Sequence, residues 1–172
     1  MNCSDCGHPL AVERNAVRRY TSGGLPHVEL HGVEVARCDS CGHEGLTIPR
    51  LAQLHRVLAA GLVAQARMLA PVEIRFLRKH MGMSSVDLSR SMGVTRETVS
   101  RWETGATPMG PVADRLLRLL VLTHEPSDSY AVDDLLRDLT DSPAPRKLAP
   151  FAVRNSARHG WTSDRVRDLA KA

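Results

Sequence analysis

The chain has 172 residues, of which 42% are hydrophobic and 3% aromatic, and its formal net charge is +4. This length suits one or two small domains and excludes one large enzyme core, and the slight basic excess is compatible with an anionic partner. The chain lacks the roughly 18 consecutive apolar residues of a membrane helix. It also lacks the charged region, apolar region and cleavage site of a signal peptide, so we expect a cytoplasmic protein with no membrane contact.

Residues 1–46 contain all the cysteines and two stretches in which apolar and polar residues alternate. The apolar positions on either side of the His31-Gly32 pair are Val28, Leu30, Val33 and Val35. Alternation with a period of two is typical of strands that bury one face. Residues 1–46 are therefore predicted to form a small β-domain with two hairpins, broken at Gly32.

The four cysteines come as two C-x2-C pairs, Cys3 with Cys6 and Cys38 with Cys41. In a reducing compartment such pairs are metal ligands more often than disulfides. Four thiolates complete a tetrahedral shell around Zn²⁺ and leave no open position for water. We predict one structural zinc ion per chain, and a module this poor in apolar residues is expected to need it for folding.

Other interpretations of this module remain open. His8 and His43 each lie two residues after a C-x2-C pair and are weaker candidate ligands. Redox catalysis would require a strand-to-helix junction that residues 1–46 do not offer. Nucleic-acid binding by the module is suggested by three clustered arginines, Arg14, Arg18 and Arg19. Four acidic residues nearby argue against a phosphate-binding face, namely Glu13, Glu29, Glu34 and Glu44.

The rest of the chain is mostly helical by its apolar spacing. Residues 48–69 show an amphipathic pattern with Pro49 in a first turn, so residues 47–70 are predicted to be a linker helix. Residues 71–123 contain four helical patterns separated by glycines and are predicted to form an all-α bundle. The expected fold class is α+β, with a small zinc-bound β-domain joined by a helix to a helix-turn-helix bundle.

Residues 124–172 form an extension to which the sequence assigns no role. An acidic stretch is followed by a proline-rich hinge at 142–150 and a basic tail from residue 151. We expect one short helix in this tail, around residues 163–170.

The segment from Ser84 to Gly105 has the spacing of two helices that cross at a tight turn. Gly93 can take the positive φ of the turn, and Ser89 is small enough for the second helix to approach. Ser84 and Thr95 are good N-caps for the two helices. The residues expected to point inward are Leu88, Met92, Val99 and Trp102.

The outward face of the second helix is polar and is predicted to contact DNA. It carries Arg96, Glu97, Ser100 and Arg101. Arginine donates two hydrogen bonds to guanine, whereas glutamate accepts from the amino group of cytosine. We expect Ser84, Ser85 and Thr95 to contact the sugar-phosphate backbone without reading sequence. The alternative for Arg96 and Arg101 is a solvated helix face.

Residues 72–122 resemble the Cro-type, or XRE-type, helix-turn-helix family of repressors. The resemblance rests on the pattern from Ser85 to Glu103 and on the Arg-Trp-Glu-Thr-Gly that ends at Gly105. It implies a homodimer that binds a pseudo-palindromic operator in double-stranded DNA, with recognition helices about 34–36 Å apart. Glu103 is expected to have a structural role, paired with Arg78.

The order of a four-cysteine module, a helix and an XRE-type domain resembles the MqsA (YgiT-type) family of antitoxins. This resemblance implies that the zinc module docks a toxin while the helical domain represses the operon. Glu97 and Arg101 match the base-reading pair of that family, although asparagine is its usual residue at the first position. The alternatives are a transcriptional regulator without a toxin and an interaction adaptor built on the zinc module. We do not expect an enzyme, because the sequence has no nucleophile-base arrangement and no phosphate-cradling glycine loop.

Overall fold

The computed structural model describes residues 2–124, 139 and 142–163. Three strands come first: β1 (Ala11–Tyr20), β2 (Leu25–Arg37) and β3 (Glu44–Thr47). Five helices follow: α1 (Leu51–Val63), α2 (Pro71–His80), α3 (Ser85–Met92), α4 (Arg96–Thr104) and α5 (Pro111–His124). Two further strands are β4 (Phe151–Ser156) and β5 (Gly160–Ser163). The predicted α+β class is confirmed.

Parts of the carboxy-terminal extension lie outside the described residues. The short helix expected around residues 163–170 lies outside the described residues, apart from Ser163, which ends β5. Most of the acidic stretch before residue 142 also lies outside them. Among the helices that the structure describes, none is both long and apolar enough to cross a bilayer.

The sheet is organised around β2, the longest strand. β1 runs antiparallel along one edge of β2. β3 pairs antiparallel with residues 34–37 on the other edge, and β4 pairs in parallel with residues 28–31 of that edge. β5 then extends the sheet as the antiparallel partner of β4. The hairpin from residue 151 to residue 163, which the sequence presented as a basic tail, therefore belongs to the same sheet as the amino-terminal strands.

Gly32 forms a bulge within β2 and does not end the strand. The partners of Val17 and Ala16 in β1 are His31 and Val33, so Gly32 is the extra residue, with a φ of 80°. A side chain there would lie 2.6 Å from the backbone oxygen of Asn155 in β4. Because a bulge shifts the alternation by one residue, both apolar stretches face the same core. The expected break at Gly32 is thus wrong: β2 is continuous, and the two hairpins of the module are β1–β2 and β2–β3.

α1 packs its apolar face on the sheet and on the last two strands. Leu54, Leu58 and Leu62 are fully buried. The ring of Phe151 lies on Gly61, where a Cβ atom would be 2.3 Å from the Cζ atom of the ring. Nε1 of Trp161 donates to the carbonyl oxygen of Pro49 at 2.6 Å. The amino-terminal module therefore has an apolar core, contrary to what its composition suggested.

α1 ends earlier than the apolar pattern indicated, because the chain turns away after Val63. Three carbonyl oxygens of the turn, those of Val63, Gln65 and Arg67, accept hydrogen bonds of 2.6–2.7 Å from the guanidinium of Arg118. Arg118 lies on α5, is fully buried and is held by Asp114 at 2.6 Å. The Arg118 guanidinium supplies donors that a continuing helix would have supplied from its own backbone.

Glu73, in the first turn of α2, is the centre of a buried polar junction. Its carboxylate accepts hydrogen bonds of 2.8 and 2.9 Å from Arg67 and one of 2.7 Å from the amide of Ala70. Nε2 of His27 on β2 lies 3.2 Å from one of its oxygens. Burial alone would raise the pKa of Glu73, but the hydrogen bonds from Arg67 lower it to about 2. Glu73 thus connects the sheet, the turn and the helical bundle.

Candidate DNA-binding helix and metal centre

Both helices of the predicted DNA-binding segment begin at capped residues. The Ser84 hydroxyl accepts from the amide of Asp87 at 3.1 Å, and Thr95 accepts from the amide of Thr98 at 3.2 Å. Both predicted N-caps are confirmed. The Asp87 carboxylate in turn accepts from the Ser84 amide at 2.9 Å, and the hydrogen bond with the Ser84 side chain lowers the pKa of Asp87. Sequence reasoning missed this reciprocal cap, although the Ser-x-x-Asp spacing signals it.

The turn between α3 and α4 has the expected geometry. Gly93 has a φ of 64°, and the amide of Val94 donates to the carbonyl oxygen of Ser89 at 3.0 Å. Ser89 is itself buried. The four residues that were expected inside are all buried: Leu88, Met92, Val99 and Trp102. The crossing of the two helices is therefore fixed by the buried side chains between them and by the turn at Gly93.

The outward face of α4 is exposed and polar. It presents the side chains of Arg96, Glu97, Ser100 and Arg101 to solvent. Within the described residues, none of these four side chains forms an ion pair or a hydrogen bond with another part of the chain. Glu97 and Arg101 are four residues apart and so share one stripe of the helix. This face has donors and acceptors that the fold itself does not use.

The remaining predicted contacts lie at the starts of the two helices. Ser84 and Thr95 are exposed at their cap positions, and Ser85 is half-buried in the first turn of α3. The amides of a first helical turn are oriented outward and carry a partial positive charge, which favours anionic groups. Ser85 and Thr95 can therefore offer hydroxyls and amides to an anionic partner, whereas the amide and the hydroxyl of Ser84 both donate to Asp87, at 2.9 and 2.6 Å.

The second candidate site is a cluster of the four cysteines. The Sγ atoms of Cys3 and Cys41 are 3.6 Å apart, those of Cys6 and Cys38 are 3.4 Å apart, and all four lie within 4.8 Å of one another. Tetrahedral coordination with metal–sulfur bonds of about 2.3 Å requires sulfur separations of about 3.8 Å. The cysteines form no disulfide. The cluster therefore fits the coordination shell of one metal ion.

The two cysteine turns have the same backbone geometry. Gly7 donates its amide to the carbonyl oxygen of Cys3 at 3.0 Å, and Gly42 donates to that of Cys38 at 2.9 Å. Their φ values are 74° and 75°, which favour glycine. One turn precedes β1 and the other connects β2 with β3, so the β1–β2 hairpin brings them together.

The thiols of the cluster differ in acidity. A backbone hydrogen bond from Cys41 is the main cause that lowers the pKa of Cys38 to about 7. At Cys41 the amide of His43 acts in the same direction, but the neighbouring thiols raise its pKa to about 12. Four thiolates so close together repel one another, so a bound cation would favour their full deprotonation.

The two histidines beside the cysteine pairs have other contacts. Nδ1 of His43 lies 2.9 Å from the carboxylate of Asp5, and Nδ1 of His8 lies 3.2 Å from the carbonyl oxygen of Cys6. Neither histidine belongs to the group of ligand atoms that surrounds the possible metal position. The set of four sulfurs is therefore complete without them.

Comparison with known proteins gives one match. The sequence model of a family described as Helix-turn-helix matches residues 74–124. No curated protein and no solved structure matches the chain. The matched residues run from α2 to the end of α5 and include both capped helices. The chain therefore contains a DNA-binding helix-turn-helix domain of the kind found in transcriptional regulators, together with a four-cysteine cluster that can hold a metal ion.

Proposed function

We propose that this DNA-binding regulator is a sequence-specific transcriptional repressor that acts as a homodimer on a pseudo-palindromic operator. The observation that carries the proposal is the outer face of α4. Its four polar side chains are exposed and unpaired within the described residues, while the helix beneath them is fixed by a cap, a buried tryptophan and a glycine turn. Rigid support of this kind is what base reading requires.

The proposed roles follow from the chemistry of the side chains. Arg96 and Arg101 donate to O6 and N7 of guanine, and Glu97 accepts from the amino group of cytosine. Ser100 contributes a hydroxyl that can donate or accept. The hydroxyls and amides of Ser85 and Thr95 bind phosphates and set the register of the protein on the duplex. Ser84 lies beside them as a third backbone contact, while its own donors hold Asp87.

A homodimer is supported by binding energy and by one exposed apolar face. A single recognition helix reads few bases, and each good pair contributes only about 1–3 kcal/mol of discrimination. On α5, Val112 is 81% exposed and Leu119 is 37% exposed. Because they are two helical turns apart, they lie on one side of α5. We place the contact between protomers there.

We propose Zn²⁺ as the ion of the cysteine cluster, one per chain and with a structural role. Four thiolates are the ligand set that closed tetrahedral zinc sites use, and they leave no position for a reacting water. The ion would hold together the two cysteine turns at the end of the β1–β2 hairpin.

The most specific form of the proposal is an antitoxin that binds its toxin through the zinc module and represses its own operon. It is supported by the order of a cysteine module before a helix-turn-helix domain and by the position of the cysteine turns at an end of the sheet, outside the DNA-binding helices. A regulator without a toxin and an adaptor built on the zinc module are the alternatives. A reading frame for a small basic ribonuclease-like protein beside the gene would support the antitoxin over both alternatives. Co-purification of that protein with this chain would test the same distinction.

The proposal is tested by binding of the purified protein to the DNA upstream of its own gene. Fluorescence anisotropy should give a higher affinity for that DNA than for a shuffled duplex of the same composition. Specific affinities typically exceed non-specific ones by about a thousandfold or more. Equal affinity for both duplexes at every salt concentration would refute sequence-specific binding.

A further inference from the structure

A cavity of about 740 Å³ lies between the sheet, the helix-turn-helix domain and the segment before β4. The sheet contributes the turn side of β1 and β2, including Arg19 and His27. The helical domain contributes the start of α2 and Gly105, which caps the carboxyl end of α4. Residues 144–150 form the remaining wall, except for Ala149. A volume of this size accommodates a small organic molecule.

The cavity combines apolar walls with a positive rim. Prolines, alanines, Val72 and Leu148 account for most of its lining. The charged side chains that reach it are Arg19, Arg146 and Lys147 against one carboxylate, Glu29. None of these three cations forms an ion pair with a residue that the structure describes. An occupant with an apolar body and an anionic group matches this distribution.

His27 adds a buried polar side chain to the wall of the cavity. Its side chain lines the cavity and is only 6% exposed, yet Nδ1 has no hydrogen-bond partner among the described residues. A buried polar nitrogen without a partner costs free energy, and such groups are few in folded proteins.

The same cavity is connected to the DNA-binding helices. Nε2 of His27 lies 3.2 Å from the carboxylate of Glu73, which also binds the amide of Ala70 at the start of α2. Gly105 packs against Pro71, and a Cβ atom on Gly105 would be 3.3 Å from Cγ of that proline. An occupant would thus contact the first residues of α2 and the end of α4 together.

We propose that this cavity binds a small organic anion, a carboxylate- or phosphate-bearing molecule with an apolar body, and that its occupancy changes the affinity of the protein for DNA. The regulatory half rests on the proposed function, whereas binding in the cavity does not. The ligand acts by favouring one orientation of the helix-turn-helix domain relative to the sheet, to the extent that it binds that orientation more tightly.

The test uses a matched pair of fluorescent probes on the full-length protein without DNA. Anilinonaphthalene sulfonate carries an aromatic body and an anionic group, and phenylnaphthylamine has the same body without the charge. The anionic probe should bind saturably, with one molecule per chain, and more tightly than the neutral one. The double variant R146A/K147A should weaken anionic-probe binding by about tenfold or more, because two charge-assisted contacts are lost.

The control variant R56A/R158A removes the same charge from two exposed positions outside the cavity. Its affinity for the anionic probe should stay within about twofold of the parent protein. Equal losses in both double variants, equal affinity for the two probes, or the absence of saturable binding would overturn the cavity as an anion site.

Operator binding is then measured with and without a saturating concentration of the anionic probe. We expect a change of about fivefold or more in operator affinity, which R146A/K147A should abolish. An unchanged operator affinity with the probe bound would overturn the regulatory half. Failure of the unloaded protein to bind its operator would instead refute the proposed function, while the probe titration would stand.

Discussion

Glu103 on α4 and Arg78 on α2 form a two-point ion pair, with Nε to Oε1 at 2.5 Å and Nη2 to Oε2 at 3.0 Å. The hydrogen bonds that Arg78 donates to Glu103 raise the pKa of Arg78 above its ordinary value. Arg78 also donates to the carbonyl oxygen of Met83, and Arg75 donates to that of Glu103. The pair was expected from the sequence and is confirmed. It holds the recognition helix against α2, just behind the residues proposed to read bases.

Replacing Glu103 with alanine should destabilise the protein by about 3–5 kcal/mol, because Arg78 would keep its charge in a largely buried position without an anionic partner. Urea unfolding followed by circular dichroism measures the change. Glu97→Ala, an exposed position on the same helix, serves as the control and should cost no more than about 0.5 kcal/mol. A similar decrease in the free energy of unfolding in both variants would contradict a specific stabilising role for the Arg78–Glu103 pair.

Replacing Arg101 with alanine should cost about 1–3 kcal/mol in specific operator binding and relax selection at one base pair. The reason is the loss of two parallel hydrogen bonds to guanine. Ser85→Ala is the contrasting variant, since a phosphate contact should weaken all DNA sequences to a similar extent. Competition binding with single-base operator variants distinguishes the two effects. An unchanged operator affinity in Arg101→Ala would remove this residue from the proposed interface.

Acid should destabilise the protein through Glu73. Its pKa is lowered from 4.5 to about 2 in the folded protein, so the unfolded chain takes up the proton more readily. The stabilisation, about 3 kcal/mol, is present above the unfolded pKa and is lost as the pH falls from about 4.5 to about 2. Unfolding free energies of Glu73→Gln between pH 7 and pH 3 should therefore depend less on pH than those of the parent. Glu97→Gln should keep the parent's pH dependence; the same flattening in that variant would count against Glu73.

Removal of the metal should loosen the cysteine turns and leave the sheet and helices folded. The turns at residues 3–8 and 38–43 carry the four cysteines, whereas β2 is paired with β1, β3 and β4 and its apolar side chains are buried. Hydrogen exchange after chelation should accelerate at the amides of Gly7 and Gly42, with little change in helical circular dichroism. The double variant C3S/C41S should behave like the chelated protein. Loss of protection along the whole of β2 would mean that the sheet also needs the ion.

The exposed face of α5 should control the oligomeric state. Val112→Glu places a charge at a position that is 81% exposed in the single chain, so it should not disturb folding. If α5 forms the contact between protomers, the variant should dissociate at concentrations where the parent is dimeric and should bind its operator less tightly. Sedimentation velocity gives the comparison. Leu119→Glu should act in the same direction, and a parent protein that is monomeric would reject the dimer outright.

The helix-turn-helix could be predicted because its signals are local. Ser84, Thr95 and Gly93 each act within four residues of their own position, and the structure places them as caps and turn. The cysteine turns could also be predicted from the sequence, since each pair lies in one short loop. Their approach to each other depends on the β1–β2 hairpin, whereas the alternation on either side of Gly32 indicated strands that both belong to β2.

The missed features depend on contacts between distant residues. The alternation from Phe151 to Val153 is too short to indicate a strand by itself, and its partner β2 lies far back in the chain. The buried role of Arg118 could not be predicted from the sequence either. An arginine on an amphipathic helix is normally exposed, and nothing nearby indicates that three carbonyl oxygens from another turn surround it. The cavity follows from the same distant contacts, because residues 144–150 form one of its walls only once β4 is in place.

The parallel pairing of Val28 with Phe151 sets an order of events during protein synthesis. Residues 71–124 leave the ribosome before β4 does, and their mostly local contacts allow the DNA-binding helices to fold on the nascent chain. Until residues 151–154 emerge, the edge of β2 at residues 28–31 has no partner strand. Ribosomes paused in this interval would display a folded DNA-binding domain beside an open strand edge, the kind of surface that chaperones and aggregates recognise.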